Sequence, residues 1–172
     1  FNCVTFREKI MKKFAILSIA SLMTLSVAHA EQPTQYFAIG HKMLTLDFDG
    51  EGELDVTGTQ LTYGKRINEN VILEGNMVTA LDLSGEGTNL EVTSLDLSAL
   101  YFPLDNLFHV RLGFSDAEID TTLGGESDTS EIIGAGYSWL VGSSAGVRLE
   151  YTTASYGDLD VDGFTLSVAA RF

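Results

Sequence analysis

Cysteine, proline and basic residues are all scarce in this chain of 172 residues, which carries one Cys, two Pro and ten Lys plus Arg against 24 Asp plus Glu. A single cysteine, Cys3, excludes a disulfide framework and a zinc site of paired thiolates. The shortage of cations, with a net charge of −14, argues against nucleic acid and against electrostatic adhesion to an anionic surface. No glycine-rich phosphate loop opens a helix, and no basic stripe is present. Long apolar runs are missing too. Beyond residue 30 no continuous stretch approaches the ~20 residues that a membrane-crossing helix requires.

The one apolar run lies near the start. From Met11 the chain reads MKKFAILSIASLMTLSVAHA. Lys12 and Lys13 form a basic beginning, about a dozen apolar residues follow, and Ala28-His29-Ala30 supplies the small residues of a cleavage site at Ala28 and Ala30. Residues 11–30 are therefore expected to be a cleavable signal peptide. Residues 1–10 (FNCVTFREKI) are expected to be extraneous upstream sequence, and residues 31–172 to be the mature domain. Removing the first 30 residues takes Arg7, Lys9, Lys12, Lys13, Glu8 and Cys3 with it. That leaves six basic against 23 acidic residues, a net charge of −17. An exported product without disulfides needs another source of rigidity, and a closed hydrogen-bonded barrel is one.

In the mature segment apolar residues recur every second position, the period of a strand. The last stretch is the plainest. Phe164, Leu166, Val168, Ala170 and Phe172 share one face, and Thr165, Ser167, Ala169 and Arg171 share the other. Working backwards, the same alternation marks segments around Val147–Thr152, Ile133–Trp139, Phe108–Ser115, Ser94–Tyr101, Val71–Asp82 and Thr57–Ile67. The first segment, YFAIGHKMLTLDFD, changes the parity of its apolar face near Met43 and Leu44, which implies a bulge or a misplaced boundary. Eight strands result, each long enough to cross a bilayer at a tilt. The expected fold is all-β, an eight-stranded antiparallel up-and-down transmembrane β-barrel.

The connections reinforce this reading. Short turns are expected at 67–70, 102–106 and 141–144. Longer acidic loops are expected at 49–56, 84–89, 116–128 and 155–163, and they hold thirteen of the 23 mature acids. Short periplasmic turns and longer outer loops, with both termini on the periplasmic side, are the pattern of outer-membrane barrels. Aromatic residues then gather at two levels: Tyr36, Phe37, Tyr101, Phe102, Phe108, Trp139 and Phe172 at one end, and Phe48, Phe114, Tyr156 and Phe164 at the other. Two such girdles suit the two membrane interfaces.

On these residues, with glycine-aromatic pieces such as LTYGKRI and GAGYSWL and the terminal FTLSVAARF, the chain resembles the small outer-membrane β-barrels of the OmpA and OmpX type. The resemblance covers Tyr36 to Phe172. It implies integral residence in the bacterial outer membrane of a Gram-negative cell, contact with outer-membrane lipid and lipopolysaccharide, a monomeric state, and no cofactor. It also implies that Phe164, Leu166, Val168, Ala170 and Phe172 form the signal read by the barrel-assembly machinery. With Phe172 as the end, it does not imply cell-wall anchoring through a following domain.

Arg66, Glu74, Asp82, Asp96, Arg111, Arg148, Glu150 and Arg171 are expected to face the lumen as a charge network, because an eight-stranded barrel has room inside for side chains and little else. Such charges must pair or they would cost several kcal/mol each. The stretch Asp158-Leu159-Asp160-Val161-Asp162-Gly163 copies the opening of a calcium loop. Ala169 stands where the twelfth-position glutamate belongs, so Asp158, Asp160 and Asp162 are only a weak metal candidate and no metal is expected. Of the mature histidines, His109 is expected to face inward as a structural, hydrogen-bonded residue and His41 lies on the ambiguous first strand. No catalytic triad is legible. The expected role is non-enzymatic: a barrel with a plugged polar lumen that contributes to envelope structure and presents acidic surface loops. A narrow porin-like channel and a lipid-modifying enzyme remain as alternatives. So does a soluble barrel of lipocalin shape, which the aromatic levels and the terminal Phe172 disfavour.

Overall fold

A computed structural model describes residues 34–48, 52–81, 91–103, 107–121, 124–141 and 144–172. The expected leader, the upstream residues, Asp82 and parts of the acidic connections lie outside these residues. Eight strands follow in order: β1 (Gln35–Phe48), β2 (Gly52–Arg66), β3 (Val71–Leu81), β4 (Glu91–Tyr101), β5 (Phe108–Thr121), β6 (Gly124–Val141), β7 (Ala145–Tyr156) and β8 (Leu159–Arg171). Each is antiparallel to the next, and β8 closes on β1, from Tyr36 opposite Arg171 to Phe48 opposite Leu159. The eight expected segments are all present. Closure satisfies the backbone of every strand at its flanks, as hydrocarbon surroundings require.

The first strand carries no bulge. β1 pairs without interruption with β2, from Gln35 opposite Lys65 to Phe48 opposite Gly52. Phe37, Ile39, His41 and Met43 point out, while Tyr36, Ala38, Lys42, Leu44 and Leu46 point in and are buried. The change of parity at Met43 and Leu44 is therefore a change in what each face meets. Below it the outer face is apolar but for His41 and the inner face is mixed, and above it the outer face is polar and the inner face apolar.

The inversion recurs around the barrel. Outward residues are apolar from Phe172 to Phe164 on β8, from Phe108 to Phe114 on β5, and from Val141 to Ile133 on β6. The next outward positions are Asp162, Asp116 and Glu131, and on the remaining strands Thr45, Thr59, Thr79, Thr93 and Thr153. Nine residues of β8 at ~3.4 Å each, tilted about 40°, make a belt roughly 23 Å tall, close to the ~25 Å apolar band of an outer-membrane barrel. Above the belt the wall continues as strand with a water-facing exterior. Its interior there is apolar: Leu44, Leu46, Val56, Ala80, Val92 and Leu159 form one buried cluster.

This taller wall corrects the expected long loops. Most of 49–56, 116–128 and 155–163 is strand, and only Gly157-Asp158 separates β7 from β8. Gly157 takes a left-handed φ of 60°, which permits a two-residue turn. Glycine and aspartate mark turns by their frequency there, but in this wall they sit on strands whose outer face meets water. β6 is longest, and Ser130 ends its ladder with β7: its Oγ accepts from the Ser155 N–H at 3.1 Å and donates to the Ser155 carbonyl at 2.5 Å.

The girdles are revised by the same parity. Tyr36 and Phe102 point inward and are buried, and Tyr156 packs against the upper apolar cluster. The side chain of Phe48 lies outside the described residues. Phe37 instead contacts Tyr63 and Phe172 at ring distances of 5.2 and 5.4 Å, Tyr137 stands beside Phe108 and Trp139, and Tyr151 meets Phe164 at 4.9 Å. The aromatic levels are thus completed by Tyr63, Tyr137 and Tyr151.

Single cysteines test the inversion in a chain whose strands contain none. In liposomes, Leu112→Cys, within the apolar belt, should resist a water-soluble maleimide, and Glu118→Cys, on the wall above it, should react rapidly. Equal protection of both positions would place the whole wall in lipid.

Candidate functional site

The described inward-facing side chains lie in layers. Nearest the termini Tyr36, Ala38, Ile72, Leu100 and Phe102 form a buried apolar cluster. Above it lies a charge layer. Glu74, wholly buried on β3, accepts from Arg111 Nη2 at 2.5 Å through one oxygen and from Arg148 Nη1 at 2.5 Å through the other. Glu150 on β7 takes Arg111 at 2.9 Å and His109 Nε2 at 2.8 Å. Arg111 also donates to the Ser98 hydroxyl, and Arg148 donates to the Tyr36 hydroxyl at 2.7 Å and to Ser138 at 3.3 Å.

Two carboxylates thus hold two guanidiniums and one imidazole across three strands, β3, β5 and β7. Among the described buried polar atoms, His109 Nδ1 and Arg111 Nε have no protein partner. Since a carboxylate can only accept, His109 carries its proton on Nε2, and its ring lies tilted against that of Phe102 at a centroid distance of 5.2 Å.

Close approach explains some of the glycines. A Cβ on Gly64 would collide with the Tyr36 ring, and one on Gly136 would come within 2.8 Å of the His109 ring. Glycine at these inward positions leaves room for a large side chain from the neighbouring strand, which in turn aims the Tyr36 hydroxyl and His109 Nε2 at the charge layer.

Next comes a hydrogen-bonded layer. Thr62 donates to Asn76 at 2.7 Å, and Gln60 reaches both. Asp96 accepts from Ser94 at 3.0 Å and from Ser115 at 2.7 Å. Lys42, only 5% exposed, shares this level and lines a recess with Asp96, Ser94, Ser115 and Thr152 beneath the upper apolar cluster.

The eight expected lumen charges are therefore divided. Glu74, Arg111, Arg148 and Glu150 form one cluster. Asp96 is inward but held by serines. Arg66 and Arg171 lie at the terminal mouth, half-buried, with Arg66 donating to the Glu69 carbonyl at 2.7 Å. Asp82 lies outside the described residues. Lys42 and Tyr36 escaped the sequence reading. Lys42 could have been found by carrying the parity of Tyr36 and Ala38 through Gly40, and Tyr36 was assigned to the girdle on aromatic character alone.

Of the weak metal candidates, Asp158 sits in the turn, whereas Asp160 and Asp162 lie on the outer face of β8 opposite Asp47 and Thr45. Among the described residues no group of three or more His, Cys, Asp or Glu is arranged to hold a metal. His41 is exposed on the outer face. Phe164, Leu166, Val168, Ala170 and Phe172 occupy the outer face of the closing strand and its end.

A closed eight-stranded barrel with a hydrocarbon-wide apolar exterior and a polar centre is the architecture of a small transmembrane barrel. The family described as "Outer membrane protein beta-barrel domain" matches residues 15–172, and the chain belongs to it. It is an integral protein of the bacterial outer membrane, in contact with that membrane's lipids. Similar solved structures share the fold. Ail, the attachment invasion locus protein of Yersinia pestis, is 18% identical with a TM-score of 0.63, over 82% of this chain and 99% of that one. Neisserial surface protein A is 15% identical with a TM-score of 0.67, over 80% and 97%. OprG from Pseudomonas aeruginosa is 10% identical with a TM-score of 0.54, over 82% and 97%. A comparison with curated proteins found no match.

Removing one partner of a buried pair leaves an uncompensated charge, at about 3–5 kcal/mol. Glu74→Gln strands part of two guanidiniums and should destabilise the barrel by at least that range. The single tryptophan, Trp139 on the outer face, reports unfolding in urea from lipid vesicles. Glu74→Gln as stable as the native protein would remove Glu74 from the centre of the layer.

Proposed function

We propose that this is a non-enzymatic, non-conducting outer-membrane barrel that contributes to envelope structure and holds a rigid acidic surface above the membrane. The carrying observation is the stacking of the lumen: a charge layer joined through Glu74 and Glu150 lies between two apolar clusters. An ion crossing this interior would have to separate buried pairs and then pass through apolar side chains, both costly steps. The only inward-facing histidine described, His109, is sealed between Glu150 and Phe102, so a lipid ester has no access to it.

The acidic surface is chiefly wall. Glu53, Asp47 and Asp160 lie in one row across β2, β1 and β8, with Asp55, Thr45 and Asp162 in the next. No Lys or Arg occurs on the wall above the apolar belt or in the connections that join it. Such a surface favours cations and disfavours polyanions. Ail has been crystallised with the heparin analogue sucrose octasulfate, and this chain's wall is of the wrong sign for such a ligand.

In this reading the termini face the periplasm, residues 11–30 leave as the signal peptide, the protein is a monomer, and residues 1–10 are no part of the product. The outward row Phe164, Leu166, Val168, Ala170 and Phe172 is what the assembly machinery engages, since it is accessible along the closing strand. Lipopolysaccharide would meet the wall through divalent cations bridging its phosphates to these carboxylates.

Planar-bilayer recording tests the sealed lumen. The native barrel, verified as folded by heat-modifiable migration on a denaturing gel, should give no steady unitary openings. Reproducible openings from the native protein would instead establish the narrow pore.

A further inference from the structure

The cations that face into the barrel are not spaced evenly along it. Among the described residues that are buried or half-buried, five cations face inward, namely Lys42, Arg66, Arg111, Arg148 and Arg171, against three carboxylates, Glu74, Asp96 and Glu150. Glu74 and Glu150 are committed to Arg111 and Arg148, and Asp96 shares its level with Lys42. Arg171 stands at the terminal mouth, apart from these three carboxylates. Arg171, the last residue of β8, lies opposite Tyr36 and makes no side-chain hydrogen bond or ion pair with any described residue. The charges that act on it, Arg66 and Arg148, are both positive.

These residues surround an opening. Arg148 and Arg171 line one recess with Ser138 and Tyr36, and Ile72, Phe102 and Ala169 supply its apolar side. Arg148 is held in place by Glu74 and by the Tyr36 hydroxyl, so its position is fixed before anything binds. A fixed guanidinium, a second one without an anionic partner, and a serine hydroxyl beside them match a tetrahedral oxyanion. Arginine presents paired N–H donors to phosphate oxygens in a planar fork.

We propose that the terminal mouth of the barrel is a phosphate-binding site in which Arg171 is the principal ligand, with Arg148 and Ser138 behind it. The ligand chemistry is a phosphate mono- or diester anion, supplied either by a soluble phosphate or by a phospholipid headgroup at the rim. The site is independent of whether the lumen conducts.

Two arms distinguish the sources. In the first, inorganic phosphate is titrated at low ionic strength into the barrel folded in maltoside micelles, with binding read by phosphorus NMR line broadening. In the second, lipid retained by the barrel is measured by native mass spectrometry after exposure to phosphatidylglycerol or to an uncharged glucosyl diacylglycerol.

Binding in the first arm identifies a soluble phosphate, and selective retention of phosphatidylglycerol in the second identifies the headgroup. In either arm Arg171→Gln should weaken the interaction at least tenfold, while Lys65→Gln, on the outer face of β2, leaves it within twofold and Arg171→Lys retains part of it. Heat-modifiable migration of each variant verifies folding. Absence of binding in both arms, or binding that Arg171→Gln leaves unchanged, overturns the site.

Discussion

The pairing of β8 with β1 is the constraint on which everything else in this protein depends. In hydrocarbon an unpaired backbone amide has no water to turn to, so a sheet can cross only if its last strand returns to its first. Once eight strands close, the interior is narrow and every second residue is committed to it. The fixed alternation then leaves each strand little freedom. A residue that serves the belt outside cannot serve the charge layer inside, and a shift of one position would exchange the two completely.

Within that enclosure the side chains solve a packing problem with charge. Arg111 and Arg148 are too long and too costly to bury alone, and Glu74 offers one oxygen to each. The arrangement draws on β3, β5 and β7, so it ties together strands that are not neighbours in the sheet. Buried ion pairs seldom exceed a well-packed apolar core in stability, but they do fix which residues face one another. The layer above, from Gln60, Thr62 and Asn76, serves the same end with hydrogen bonds. Tyr36 and His109, seated on Gly64 and Gly136, connect this interior to the barrel wall.

Most of the fold was legible because strand period and strand count are properties of the sequence alone. The row from Phe164 to Phe172 and the segment from Phe108 to Ser115 needed no tertiary information. What escaped was the level at which lipid gives way to water. Alternation reports that two faces differ and says nothing of what surrounds either one, so Met43 followed by Leu44 read as a defect in a single strand. It is the place where the surroundings exchange. The same limit turned glycine-rich and acidic strand residues such as Gly52–Asp55 into supposed loop, and left Lys42 unassigned. The central charges were legible by sign and parity. Their division was not, because whether Arg171 reaches a carboxylate depends on distances across the lumen that no single strand encodes.

The two-residue turn at Gly157-Asp158 has a further consequence. A protease takes its substrate as a single extended strand threaded through a cleft, and a chain already bonded to neighbours on both sides must first be unzipped from two ladders. At this corner β7 and β8 leave only those two residues outside the pairing. Asp47, Glu53 and Asp160 stand on adjoining strands, so a change at one alters the setting of the others. The described part of this wall is therefore hard to cut.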